Sequence, residues 1–156
     1  MERRSMQLEI LATPQPKLRP RFTRSGKTFT PQKTREYEEL IRAAYISQYG
    51  NEPMYGRDEA LAVNAEFWFV PPKSWSVRKT KAALASWLPH TSRQDIDNLL
   101  KAILDALRGL AYVDDTQVVQ LNGLKRYASE PYIRVTLTPC DIQELIYPED
   151  LEMFPL

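Results

Sequence analysis

Hydrophobic and polar positions along the chain predict three helices and four longer strands. Residues 6–12 alternate weakly and predict a first strand, which cannot continue through 13–22 because Pro14, Pro16 and Pro20 supply no ladder donors. That stretch predicts a basic loop. Thr30 offers an N-cap and Pro31 a first helical residue, and Tyr37, Leu40, Ile41, Ala44 and Tyr45 then recur at helical spacing up to about Tyr49. Two glycines and a proline in 50–58 close that helix, and 61–70 reads as a strand with Leu61, Val63, Ala65, Phe67 and Phe69 on one face. Residues 74–86 predict a short basic helix. Residues 97–108 predict another, with Leu99, Leu100, Ile103 and Leu107 as its apolar face and Gly109 as its stop. Residues 118–127 and 132–138 read as two strands joined in a hairpin through Ser129, Glu130 and Pro131. The order predicts an α+β domain: a small mixed or antiparallel sheet with helices packed on one side. No glycine-rich phosphate loop occurs, which argues against a nucleotide cofactor.

Length and composition narrow the classes. With 156 residues, 43% apolar and 26% charged, the chain fits one domain, residues 1–140, followed by an acidic tail, 141–156, expected to dock as a short helix or to cover a neighbouring subunit. No run approaches the roughly 20 apolar residues of a membrane span, so a cytoplasmic protein without a membrane partner is expected. One cysteine, Cys140, and one histidine, His90, cannot build an intrachain disulfide or a usual structural zinc site. Cys140 is expected to be inert. A metal would have to be held by oxygen, which favours magnesium or manganese.

The net charge of +1 conceals an asymmetry. Residues 1–35 carry nine basic side chains against Glu2 and Glu9, whereas 141–156 carry five acids and no base; without that tail 21 basic residues face 15 acidic ones, a net +6. Such a body suits a polyanion, because neutralised phosphates release counterions. A solvated surface of lysine and arginine accounts for the bias equally well. If DNA is the partner, Lys17, Arg19, Arg21, Arg24, Lys27 and Lys33 are candidate phosphate contacts, with Lys73, Arg78, Lys79 and Lys81 as a second group.

The candidate chemistry is concentrated in Gln94-Asp95-Ile96-Asp97-Asn98-Leu99-Leu100-Lys101 and, one helix later, Asp114-Asp115. Asp95 and Asp97 point the same way in an extended segment and lie beside the positive end of the dipole at a helix start. Crowded carboxylates of this kind suit a divalent cation, and Lys101 would serve a phosphate. Each part also has an ordinary structural explanation: an N-cap, an i,i+4 salt bridge through Asp97, Lys101 and Asp105, and a polar turn at Asp114-Asp115.

The full string resembles the RusA family of Holliday junction resolvases. The matching runs are Asp95 to Lys101, Asp105-Ala106-Leu107 and Asp114-Asp115-Thr116-Gln117-Val118. Upstream lie Pro16 to Phe22, Thr30 to Thr34 with Tyr37-Glu38, and Pro71 to Ser76; downstream lies Lys125-Arg126-Tyr127. The resemblance implies a homodimeric, magnesium-dependent endonuclease that cuts four-way DNA junctions by paired nicks. It implies Asp95, Asp97 and Asp115 as metal-binding carboxylates and Lys101 as the catalytic lysine. Asn98, Asp105 and Asp114 are expected to support these from behind. The tail lies outside the resemblance. Rival readings are a non-catalytic binder of branched DNA, a broader flap or branch nuclease, and a metal-free scaffold. Phe22, Trp75 and Trp87 are candidates for stacking on unpaired bases, although aromatics more often fill cores, and His90 is expected to be structural or exposed.

Overall fold

The longest apolar alternation in the chain, Leu61–Phe69, becomes the centre of the fold. In the computed structural model, which describes residues 4–140, the elements follow as β1 (Met6–Ile10), β2 (Arg21–Phe22), β3 (Thr28–Phe29), α1 (Gln32–Tyr49), β4 (Leu61–Phe69), α2 (Val77–Leu84) and α3 (Ile96–Leu107). A 3-10 turn (Asp115–Gln117) then leads into β5 (Val118–Tyr127) and β6 (Tyr132–Pro139). The acidic tail and its expected docking lie outside the described residues.

The expectation of an α+β fold is met by a four-stranded mixed sheet, ordered β1-β6-β4-β5, and three helices. The predicted β5–β6 hairpin is not formed. β4 lies between the two strands, parallel to β5 and antiparallel to β6. Residues 128–131 carry the chain across the end of β4, where the Ala128 amide donates to the Phe69 carbonyl at 2.9 Å. Four residues easily span two strand spacings of about 4.8 Å. The physical reason is burial: Leu61, Val63, Ala65, Phe67 and Phe69 are all buried, so this strand gains most from a neighbour on each edge. Ser-Glu-Pro, moreover, is not one of the two-residue turns that pin a tight hairpin.

Other boundaries shift for local reasons. The N-cap of α1 is Pro31 rather than Thr30, and its carbonyl accepts from the amides of Thr34 and Arg35. Tyr37, Ile41 and Tyr45 form the buried stripe of α1, while Leu40, expected on that face, is exposed. α2 is shorter than predicted and is N-capped by Ser76, whose hydroxyl accepts from the Lys79 amide. At the end of the segment 13–22, expected to be loop, β2 pairs with β3 as a small hairpin turned by Gly26 at φ 78°.

α1 packs on β1, α3 on β5, and the two helices on each other. α3 buries Leu99, Ala102, Ile103, Ala106 and Leu107 completely, and each large side chain contributes about 1.5–3 kcal/mol by leaving water. On the opposite sheet face Arg134 bridges Glu9 and Glu66 at 2.9 and 3.1 Å, and Trp68 stacks on Tyr132. That face carries neither α1 nor α3.

Candidate active site

Asp95 is the N-cap of α3, and its carbonyl accepts from the Leu99 amide, but its side chain makes no capping hydrogen bond. Asp97, in the first turn, is exposed as well. Neither carboxylate has an ion pair or hydrogen-bond partner among the described residues. The helix-cap explanation of Asp95 therefore fails for its side chain, and two hard oxygen donors face solvent at the positive end of a helix.

Three contacts hold this turn. The Lys125 ammonium donates to the Gln94 carbonyl at 2.8 Å, and the Lys17 amide donates to the Asn98 carbonyl at 2.9 Å. Beneath them, Gly123 of β5 lets the helix approach. A Cβ there would stand 2.9 Å from Leu100 Cδ1 and 3.1 Å from Ile96 Cδ1. A glycine inside a strand signals such an approach, a signal available in the sequence but unused. Asn98 is half-buried in the same turn.

Lys101 follows Asp97 by one helical turn; it is 61% exposed, with its Nζ 3.8 Å from Asp105. Asp105 is better engaged by Lys17, at 3.0 Å, and Lys17 also pairs with Glu38. Burial alone would lower the Lys17 pKa, but the hydrogen bonds and charges of Glu38 and Asp105 raise it above its ordinary value. Lys17, expected among the phosphate contacts, is thus already enclosed by two carboxylates. Lys101 is held far more loosely.

Asp115 lies at the other end of α3. One of its oxygens is 2.8 Å from the Tyr112 hydroxyl, the other 3.7 Å from Arg108, and the same hydroxyl is 3.0 Å from the Leu104 carbonyl. A single phenolic proton serves those two acceptors by turns. Burial first, and then Asp115, pushes the Tyr112 hydroxyl well above its usual range, so it remains a donor. Asp114 opens the turn, which is fastened by buried Gln117. The Gln117 carboxamide oxygen accepts from the amides of Val113 and Asp114, and its nitrogen donates to the carbonyls of Gly56 and Glu59. Sequence reasoning missed Gln117, Tyr112 and Arg108. A helix of 12 residues is about 18 Å long, and among the described residues no three His, Cys, Asp or Glu side chains are grouped closely enough to hold a metal. Asp95 and Asp97 thus flank the first residue of α3, and Asp115, tied near Leu104 and Arg108, stands apart from them.

The remaining predicted DNA contacts, Arg19, Arg21, Arg24, Lys27, Lys33, Lys73, Arg78, Lys79 and Lys81, are all exposed. The first four surround the β2–β3 hairpin, where Phe22 is 75% exposed. Trp75 is partly buried instead, edge-on to Tyr127 with Lys79 4.0 Å above its ring. His90 is structural: it is buried, stacked on Phe69 and tilted against Tyr127.

A family model for the endodeoxyribonuclease RusA matches residues 12–138, which include every carboxylate of the site. The chain belongs to the RusA endodeoxyribonuclease family. A relative in Bacillus subtilis (strain 168), the uncharacterized protein YqaN, is 33% identical over 124 residues, covering 76% of this chain and 85% of the relative. That similarity supports the relationship and adds no reaction. The resemblance read from the motif is thus a true family membership, and it makes this chain one of a nuclease family that acts on branched DNA. No helix among the described residues is long and apolar enough to cross a membrane.

Proposed function

We propose that this RusA-family chain is a cytoplasmic homodimeric endodeoxyribonuclease that uses magnesium, or manganese, to resolve four-way DNA junctions by paired symmetric nicks. The observation that carries the reading is the unpartnered pair Asp95 and Asp97 at the start of α3, since a protein leaves carboxylates uncompensated at a rigid position at some cost. Their donor set fits the cation: hard, anionic and entirely oxygen. Asp95 and Asp97 would hold it, with Asp115. When bound, it supplies Lewis-acid polarisation of the scissile phosphate and a more acidic water. Lys101, loosely tethered to Asp105, reaches toward the phosphate and stabilises the charge that develops there. Asn98 and Asp105 position this turn, and Asp114 opens the turn that carries Asp115.

The separation of Asp115 from the other two ligands supports the dimer. β5 is an edge strand with Val119, Leu121 and Leu124 exposed, and Ile96 is exposed at the start of the adjacent α3. An exposed apolar edge invites pairing with a second chain. A two-fold axis beside β5 runs the two copies antiparallel, so the end carrying Lys125 and Asp95 meets the end carrying Val118 and Asp115 of its partner. Each site is then completed in trans. The two sites face opposed strands of a junction whose own symmetry is nearly two-fold.

The test is cleavage of a synthetic four-way junction with and without magnesium. Asp95→Asn and Asp115→Asn are expected to abolish magnesium-dependent nicking while binding persists. Unchanged cleavage in both variants refutes the assignment, and binding without any cleavage by the unaltered chain favours a non-catalytic junction binder. Flap, single-stranded and linear duplex substrates at one salt concentration distinguish a resolvase from a broader branch nuclease.

A further inference from the structure

Of the three tryptophans, two are packed: Trp68 stacks on Tyr132, and Trp75 lies against Tyr127. Trp87 is 83% exposed, and the backbone that presents it is unusual. α2 ends with the Ser86 amide donating to the Ala83 carbonyl at 3.0 Å and the Trp87 amide to the Ala82 carbonyl at 2.9 Å. This is a Schellman end, which normally places glycine where Ser86 stands. Ser86 has φ 62° and is the one non-glycine residue at positive φ among the described residues. Holding a non-glycine residue at this φ costs free energy, and the turn sets where the Trp87 backbone leaves α2.

The surroundings show what such an indole could meet. Its chain neighbours Ser86 and Leu88 line an open cleft of ≈ 210 Å³, completed by Leu124, Lys125, Arg126 and Tyr127. Polar cations thus border an apolar floor. Between Lys73 and Arg93 the sequence has no acid, while Arg78, Lys79 and Lys81 project from α2. The cleft also adjoins the unpartnered carboxylates, because Lys125 holds the Gln94 carbonyl, one residue before Asp95. The support is stiff: His90 is wedged against Phe69 and Tyr127, and Trp75 leans on the same tyrosine beneath Lys79.

We infer that Trp87 is a base-stacking residue: a nucleobase displaced from the helical stack at the branch point rests on its indole at the mouth of the cleft, while the flanking phosphates meet the cations of α2 and Arg126. Aromatic faces accept any base, and a basic border supplies the backbone attraction that stacking alone lacks. This inference rests on the junction-nuclease reading. It adds a way to hold the branch open beside the cut.

The experiment uses four-way junctions with 5-iodouracil placed in turn at each position flanking the branch point, in magnesium-free buffer so that the DNA stays intact. With the full-length chain, irradiation is expected to cross-link one position to Trp87, because an iodinated base couples most readily to an aromatic ring stacked on it. Trp87→Ala is expected to lower the yield at that position by about threefold or more at saturating protein, and Trp87→Phe to restore part of it. Because the indole is exposed, Trp87→Ala should keep the thermal midpoint of the unaltered chain. An undiminished cross-link with Trp87→Ala overturns the inference, as does a junction bound by the unaltered chain with no cross-link at any position. Failure of the unaltered chain to bind the junction overturns the nuclease reading and this inference with it, an outcome the binding measurement separates from the others.

Discussion

Mixing two inactive variants tests whether each active site is shared between two chains. Asp115 is fastened to Tyr112 at 2.8 Å near the C-terminal half of α3, whereas Asp95 caps its N-terminus. Leu104, whose carbonyl shares the Tyr112 hydroxyl with Asp115, lies about 13 Å of helix rise beyond Asp95, and two ligands of one magnesium ion stand within roughly 4 Å of each other. Side-chain rotation cannot close that gap. If the ligands meet across a dimer, Asp95→Asn and Asp115→Asn chains are each inactive alone, with losses of about 10²-fold or more. Statistical exchange makes about half of the dimers mixed, and each mixed dimer carries one intact site and one site with both substitutions, so about one quarter of the unaltered nicking capacity returns. On a supercoiled plasmid bearing an extruded cruciform, the mixture should produce open circles, because one site nicks one strand, while the unaltered dimer should produce linear product by paired cuts. Different affinity tags on the two chains allow the mixed dimer to be isolated and assayed directly. An isolated mixed dimer that nicks no faster than either variant alone refutes the shared site.

Two further predictions concern the scaffold. Gly123→Ala places a Cβ against Leu100 and Ile96, and because both contacts are side-chain tips that can yield, the cost should be about 1–2 kcal/mol, a fall of roughly 3–8 °C in midpoint; an unchanged midpoint by calorimetry would show that α3 does not sit as closely on β5 as described. His90 has its pKa lowered, first by burial and then by Lys125. Below about pH 6.5 the unfolded chain therefore takes up a proton that the folded chain resists, and stability declines until the pH reaches the lower folded value. His90→Phe keeps an aromatic ring between Phe69 and Tyr127 and should lose less stability than the unaltered chain between about pH 7.5 and pH 5, measured by denaturant unfolding. An identical loss in both proteins would refute the account.

The sequence was most readable where one period dominates. Leu61–Phe69 and Ile96–Leu107 occur within a residue of their expected limits, because their apolar positions keep a strict spacing of two or follow one helical face. Pairing was harder to read. Residues 118–127 and 132–139 have the right pattern for strands, but pattern fixes the face of a strand and not its neighbour; β4 enters between them because its burial demands two partners. At the proposed site, the placing of Asp97 and Lys101 on one face of α3 was legible from spacing, since four residues make about one helical turn. The position of Asp115 was not. Gly109 at φ 74° turns the chain so that its amide donates to the Tyr112 carbonyl, and Gln117 then ties the turn to Gly56 and Glu59. Those ties run between segments some 60 residues apart, beyond the reach of local periodicity.

The distribution of countercharge explains how a crowd of acids at α3 divides into different roles. Lys17 sits between Glu38 and Asp105, and the three are mostly shielded from solvent, so one ammonium is shared by two carboxylates and the cluster keeps a net charge of −1. Having its main counterion in Lys17, Asp105 needs little from Lys101, whose ammonium stands 3.8 Å away and mostly in solvent. A pair so long and so exposed contributes almost nothing to stability. In the proposed reading, its value lies in leaving Asp95 and Asp97, without partners among the described residues, near a loosely held Lys101, a complement that suits a phosphodiester and a metal. Were Lys17 absent, Asp105 would draw Lys101 inward and the cation would be lost to the fold. Removing the Lys17 charge should therefore weaken nicking through Lys101, at a distance from the phosphate itself.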